Sequence, residues 1–127
     1  MELKITNVGI IATNAQKEAA DYRTLFGLQT KQDSPEFVEF DSNGTTLFVW
    51  QRSHLERFLG REAMSLVTQP VMFAIQCKEP EQVDAYFRDL SEKGAHFIAS
   101  PNDWPWKARA AYFVDRQGFI WEIYAWI

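Results

Sequence analysis

Few side chains in this sequence could carry chemistry, and Glu122 comes first among them. It sits in the apolar run Phe119-Ile120-Trp121-Glu122-Ile123-Tyr124, four residues beyond Gly118. A carboxyl group among aromatic neighbours loses hydration, which raises its pKa and suits it to proton transfer as an acid or base. The same setting suits it to contact a ligand, or to bond a neighbouring hydroxyl such as Tyr124 or Thr46 with no role beyond structure. Trp50 offers an indole that either stacks on a flat or cationic ligand, worth about 0.5–2 kcal/mol beyond its area, or packs in a core or subunit interface. Arg109 begins an apolar stretch and either reaches an anionic ligand group or stays at the surface. Trp104 and Trp106 either lid a pocket or pack against a partner subunit. Cys77 is the single cysteine, so no intramolecular bridge forms, and it reads as a buried, inert thiol in a reducing cytosol. A phosphate-cradling glycine loop, a nucleophile elbow and a paired Cys-x-x-Cys are all absent.

The chain that must position these groups has 127 residues, 46% hydrophobic and 24% charged, which is enough for one domain with its own core. A net charge of −4 without a Lys/Arg cluster argues against nucleic acid and weakly favours neutral or cationic small ligands. Neither a secretory leader nor eighteen consecutive apolar residues can be found, so the expected location is the cytoplasm, away from membranes. Glu56, Arg57, Arg61 and Glu62 read as an exposed helix face without a function of its own.

The organisation is an internal repeat. Asn7 to Ala12 reads as a buried strand. Asn14 then caps a helix whose Ala15, Ala19, Tyr22, Leu25 and Phe26 fall at helical spacing before Gly27 ends it. Sixty-five residues on, Met72 to Cys77 is again a strand, Pro80 starts a helix striped by Val83, Phe87 and Leu90, and Gly94 closes it. Each helix is expected to lead into an apolar strand and then a hairpin turned at Asp41-Ser42-Asn43-Gly44 or Asp115-Arg116-Gln117-Gly118, where Asp bonds nearby N–H groups and Gly supplies a positive φ. Each half is therefore βαβββ. The offset grows to 74 at these turns, so nine extra residues enter the second half, and Ser100 to Lys107 is expected to be a rigid aromatic loop. The modules span about 1–51 and 70–127 of a single domain, 1–127. Between them the segment 52–69, with Leu55, Phe58 and Leu59 at helical spacing, reads as a short helix lying over the sheet.

The opening Asn7-Val8-Gly9-Ile10-Ile11-Ala12, the Tyr22-to-Leu28 helix end and the closing Ala111-to-Tyr124 hairpin resemble the vicinal oxygen chelate superfamily of glyoxalases, extradiol dioxygenases, fosfomycin-modifying enzymes and bleomycin-resistance proteins. The resemblance covers nearly the whole chain. Its most specific part is the family's F-x-D-P-x-G-N-x-x-E hairpin, of which Phe113, Asp115, Gly118 and Glu122 are kept while Arg116 and Phe119 replace the usual Pro and Asn. It implies an α+β fold of two tandem βαβββ modules, forming a curved mixed sheet around a cleft with helices on the convex side, often completed by a second chain in a homodimer. It also implies four metal-ligand positions on the concave face, which here hold Asn7, Phe48, Met72 and Glu122. A catalytic divalent metal wants about three ligands from His, Cys, Asp and Glu, and only Glu122 is of that kind. His54, in the connecting segment, and His96, after the second helix, stand outside the pattern. No cofactor is expected, with a divalent metal through Glu122 as the minor alternative.

Strand alternation then assigns faces. Thr46, Phe48 and Trp50 share the concave face, as do Ile120, Glu122 and Tyr124, with Gly9, Ile11, Ala74 and Gln76 beside Asn7 and Met72. The ligand-binding set is thus Asn7, Phe48, Trp50, Met72, Trp104, Trp106, Arg109, Glu122 and Tyr124, with Glu122 as the one catalytic candidate. The expected function is metal-independent binding of a small aromatic or cationic compound, resembling the antibiotic-resistance branch. The alternative is a lyase, isomerase or dioxygenase-type enzyme with an atypical or metal-free site that uses Glu122.

Overall fold

A computed structural model describes residues 2–127. The two module helices form where the sequence caps them. The Asn14 side chain accepts from the Lys17 N–H at 3.1 Å to start α1 (Ala15–Phe26), and Gly27, at φ 64°, ends it. In α4 (Pro80–Glu92) proline takes a first-turn position and the Gln82 side chain accepts from the backbone N–H of Glu79 at 3.0 Å.

Eight strands make one curved, unclosed sheet. The first module supplies β1 (Asn7–Ala12), β2 (Gln29–Asp33), β3 (Phe37–Asp41) and β4 (Thr46–Gln51). The second supplies β5 (Val71–Gln76), β6 (His96–Trp104), β7 (Ala108–Val114) and β8 (Ile120–Trp126). Their order is β2-β3-β4-β1-β5-β8-β7-β6, so each module runs outward from a central seam. At that seam β1 and β5 of the same chain pair antiparallel, Asn7 opposite Ala74 and Gly9 opposite Met72. Within each module the first and last strands pair in parallel, β1 with β4 and β5 with β8. Among the described residues no helix is long and apolar enough to cross a membrane.

The expected faces hold. Leu47 and Val49 turn toward α1 with Val38 and Phe40, and Ile123 and Ala125 turn toward α4 with Val83 and Cys77. Phe48, Trp50, Met72, Ala74, Ile120 and Tyr124 share the opposite, concave core. Cys77 is buried, and burial pushes its thiol pKa up.

Four expectations need correction. The module helices α1 and α4 keep to the convex side as expected, but the connecting helices do not: α2 (Arg52–Leu59) and α3 (Arg61–Met64) send Leu55 and Met64 into the concave core, both fully buried. Arg52 fixes their arrangement by donating to the Met64 and Val67 carbonyls at 2.6 and 3.2 Å. The strand after α1 is polar, since β2 reads Gln-Thr-Lys-Gln-Asp and lies at the sheet edge, where one side needs no partner. Leu25 and Phe26 are 70% and 65% exposed, because α1 packs on the sheet through Ala15, Ala19 and Tyr22. Finally, the extra residues of the second half do not loop out. They lengthen β6 to nine residues with two register shifts, leaving only a tight turn in which Lys107 takes φ 63°.

Candidate functional site

The concave face holds a cleft of about 270 Å³ drawn from both modules. Asn7 of β1, Phe48 and Trp50 of β4, and Glu122, Tyr124 and Trp126 of β8 form its floor and one rim. Gln32 and Ser34 close the edge at β2, Phe37 and Glu39 come from β3, His54 from α2, and Trp106 and Ala108 from the β6–β7 hairpin.

Glu122 is the buried acid of the cleft. Its residue is 7% exposed, and burial raises its carboxyl pKa to about 7, against a lowering influence from the Tyr112 hydroxyl that donates to Oε2. Among the described residues no wholly buried side-chain oxygen lacks a partner. Oε1, which bonds to nothing else among the described residues, therefore opens into the cleft. Tyr112 has no exposure at all, and burial together with the facing carboxylate pushes its phenol well up. Burial likewise raises the Tyr124 phenol, whose hydroxyl lies 3.1 Å from Asn7 Oδ1 and 3.2 Å from Gln76 Oε1.

The other wall is aromatic. Phe37 stacks on Phe48 at 5.4 Å between ring centres and meets Trp50 edge-on at 5.6 Å, while Trp50 meets Trp106 edge-on at 5.4 Å. Trp50 is both cleft wall and core, being 5% exposed. Gly9 makes room, but for Phe48 rather than a ligand, since a Cβ there would meet the Phe48 ring at 2.2 Å.

The structure brings six of the nine expected ligand-binding residues to the cleft: Asn7, Phe48, Trp50, Trp106, Glu122 and Tyr124. Three fall elsewhere. Met72 has no exposure and fills the core beneath the floor. Trp104 stacks behind Trp106 at 5.4 Å, touches Phe58 of α2, and spends its N–H on the Ala110 carbonyl at 3.0 Å. Arg109 points to the convex side, away from the cleft, where it bonds Asp84 of α4 at 2.8 Å and Asp103 at 2.9 Å.

Sequence reasoning missed His54, Gln32, Ser34, Phe37 and Glu39. His54 had a signal: it lies four residues after Trp50, and its Nδ1 accepts from Trp50 Nε1 at 2.9 Å. The polar β2 edge carried none. His96 lines a shallow hollow elsewhere, with Lys93 and Arg116.

The four positions that the resemblance reserves for metal ligands do not make a ligand set. Asn7 Oδ1 already accepts from the Thr6 hydroxyl at 2.6 Å and lies 3.1 Å from that of Tyr124. Phe48 offers only carbon, Met72 is sealed in the core, and Glu122 has one oxygen engaged by Tyr112. Among the described residues no three of His, Cys, Asp and Glu converge on one point, so this donor set does not fit a catalytic divalent ion.

Comparison with known proteins agrees with the geometry. The chain is 29% identical over 126 residues to the uncharacterized protein YraH of Bacillus subtilis, covering 96% of this chain and 98% of that one. Its fold superposes on a crystal structure described as NAD-dependent benzaldehyde dehydrogenase from Legionella pneumophila, with TM-score 0.78 and 21% identity over 95% of this chain and 98% of that one. It also superposes on the methylmalonyl-CoA epimerase of Streptomyces coelicolor, with TM-score 0.67 and 16% identity over 98% and 95% of the two chains. At such identities the structural likenesses establish the fold alone. Residues 4–123 match the Glyoxalase/Bleomycin resistance protein/Dioxygenase superfamily, and the chain belongs to that superfamily.

Proposed function

We propose that this protein is a metal-independent binding protein that holds a small, flat, neutral or cationic aromatic molecule in the concave cleft. One observation carries the reading: the lining is aromatic and contains Glu39 and Glu122 but no Lys or Arg. Aromatic faces attract planar and cationic groups, and a lining whose only carboxylic acids are Glu39 and Glu122, with no cation among its own side chains, favours neutral or positive ligands over anions. Glu39 is ion-paired to Lys31 at 3.7 Å, which stands outside the lining, so Glu122 is the acid without a basic partner. The volume of about 270 Å³ suits a compound at the small end of the usual range.

The test is quenching of tryptophan fluorescence by 9-aminoacridine and ethidium, with 8-anilinonaphthalene-1-sulfonate as the anionic counterpart. Saturable quenching by the cations, at least about tenfold tighter than by the anion and weakened in Trp50→Leu, is expected. Preference for the anion, or no saturable response to any probe, would sink the reading.

A second reading rests on Glu122. A buried carboxyl with pKa raised to about 7 is matched to proton abstraction near neutral pH. If the cleft is an active site, Glu122→Gln lowers turnover by roughly a hundredfold or more while binding of a neutral ligand persists.

A further inference from the structure

His54 is a polar side chain of the cleft that neither reading above employs. It projects from α2, the helix that the connecting segment folds over the concave face, and two rings hold it in place. Trp50 donates its indole N–H to Nδ1 at 2.9 Å, the Phe58 ring packs edge-on at 4.9 Å, and the Trp50 ring lies 6.2 Å away. An indole nitrogen only donates, so the imidazole nitrogen facing it must be the unprotonated one. In the neutral ring the proton then sits on Nε2. Protonating Nδ1 as well would set two donors against each other. Burial lowers the His54 pKa further, with Glu36 opposing and Arg57 assisting. Nε2–H has no partner among the described residues, and the ring lines the cleft.

We propose that His54 is a specificity-determining residue of the cleft, a fixed neutral donor whose Nε2–H selects ligands carrying a carbonyl acceptor at the end covered by α2. This rests on the small-molecule reading above and sharpens it. The occupant is then an aromatic compound with a carbonyl on its ring system, with any positive charge turned toward the carboxylates. The acceptor end and the charged end are read by different elements, α2 and the two modules' strands. Of the described polar side chains in the lining, His54 alone comes from the connecting segment, so a change in that segment would alter ligand choice without touching the floor.

Two probes that differ in one group test it: 2-naphthylmethylamine and its 6-acetyl derivative, titrated by tryptophan fluorescence. The wild type is expected to bind the acetyl compound about fivefold more tightly, the yield of one neutral hydrogen bond. His54→Asn keeps an acceptor where Nδ1 lies, so Trp50 retains its partner, but it lacks the outer donor. That variant should bind both probes equally, with the unsubstituted amine at its wild-type affinity. His54→Phe should also lose the preference and in addition shift Trp50 emission, since the indole partner is gone. A fivefold preference that survives in both variants would overturn the role of His54 while leaving the cleft as a binding site. Absence of binding by either probe to the wild type would overturn both.

Discussion

Glu122 and Phe48 occupy equivalent places in the two modules, each four residues past a turn glycine, yet they do opposite things. Across the last hairpin of the second module Glu122 faces Tyr112, and across that of the first Phe48 faces Glu39. Acid and aromatic ring have changed strands between the halves. In the second module the acid lies inside, bonded to a phenol that has no exposure. In the first the ring lies inside, over Gly9, and the acid stands nearer the surface beside Lys31. A repeated backbone thus gives a cleft with one polar corner and one aromatic wall. The asymmetry that a ligand would feel comes from single side-chain exchanges at fixed register, with the strand pairing unchanged.

The most severe challenge to this difference is Phe48→Glu, which places an acid at both equivalent positions. The new carboxylate would have no phenol opposite it, only Glu39, so a loss of roughly 3–5 kcal/mol is expected by urea unfolding at pH 8. A loss under about 1 kcal/mol would show that the first module tolerates an inner acid as well as the second.

A somewhat smaller effect comes from Glu122→Gln. Burial raises the folded-state pKa from 4.5 to about 7, so between those values the folded protein keeps a proton that the unfolded chain has released. Stability contributed by this group therefore falls as pH rises through that window and levels off above it. The wild type should lose on the order of 3 kcal/mol relative to Glu122→Gln between pH 4 and pH 8. Parallel stability profiles for the two proteins would contradict the assignment.

The smallest effect separates Gly9 from Ala74, its counterpart in β5. Gly9→Ala drives a methyl into the Phe48 ring and should cost about 1–3 kcal/mol, much of it recovered when Phe48→Leu is added. Ala74→Gly meets no such ring and should cost only about 1 kcal/mol. Equal losses, with no recovery in the double variant, would mean that the two inner strands are packed alike.

The sequence was most readable where burial imposes a period. Alternation along β1, β4, β5 and β8 placed Asn7, Phe48, Trp50, Glu122 and Tyr124 on one face, because a one-residue slip would expose the whole hydrophobic set. Glycine and proline marked the ends of α1 and α4 for local reasons. What escaped was whatever depends on how distant pieces meet. Nothing in Gln29–Asp33 announces an edge strand that curls until Gln32 reaches the cleft, since its pattern is neither buried nor alternating. Leu25 and Phe26 carry a helical period but lie outside the face that packs. For Arg109 the sequence leaves a ligand contact and a surface position equally open, because Asp84, its main partner, lies on another element. The side of the sheet taken by α2 was equally hidden, and with it His54.

The seam between β1 and β5 brings together positions far apart in the chain: the Thr6 N–H and the Ala74 carbonyl are paired at 2.9 Å across an interval of 68 residues. Closing so long an interval costs little more free energy than closing a shorter one, but it delays assembly. Each module's own hairpins can form earlier, from neighbours in sequence. The cleft, built from both sides of the seam, is then completed late, and a molecule lodged in it would act chiefly by slowing unfolding, with little influence on how fast the chain folds.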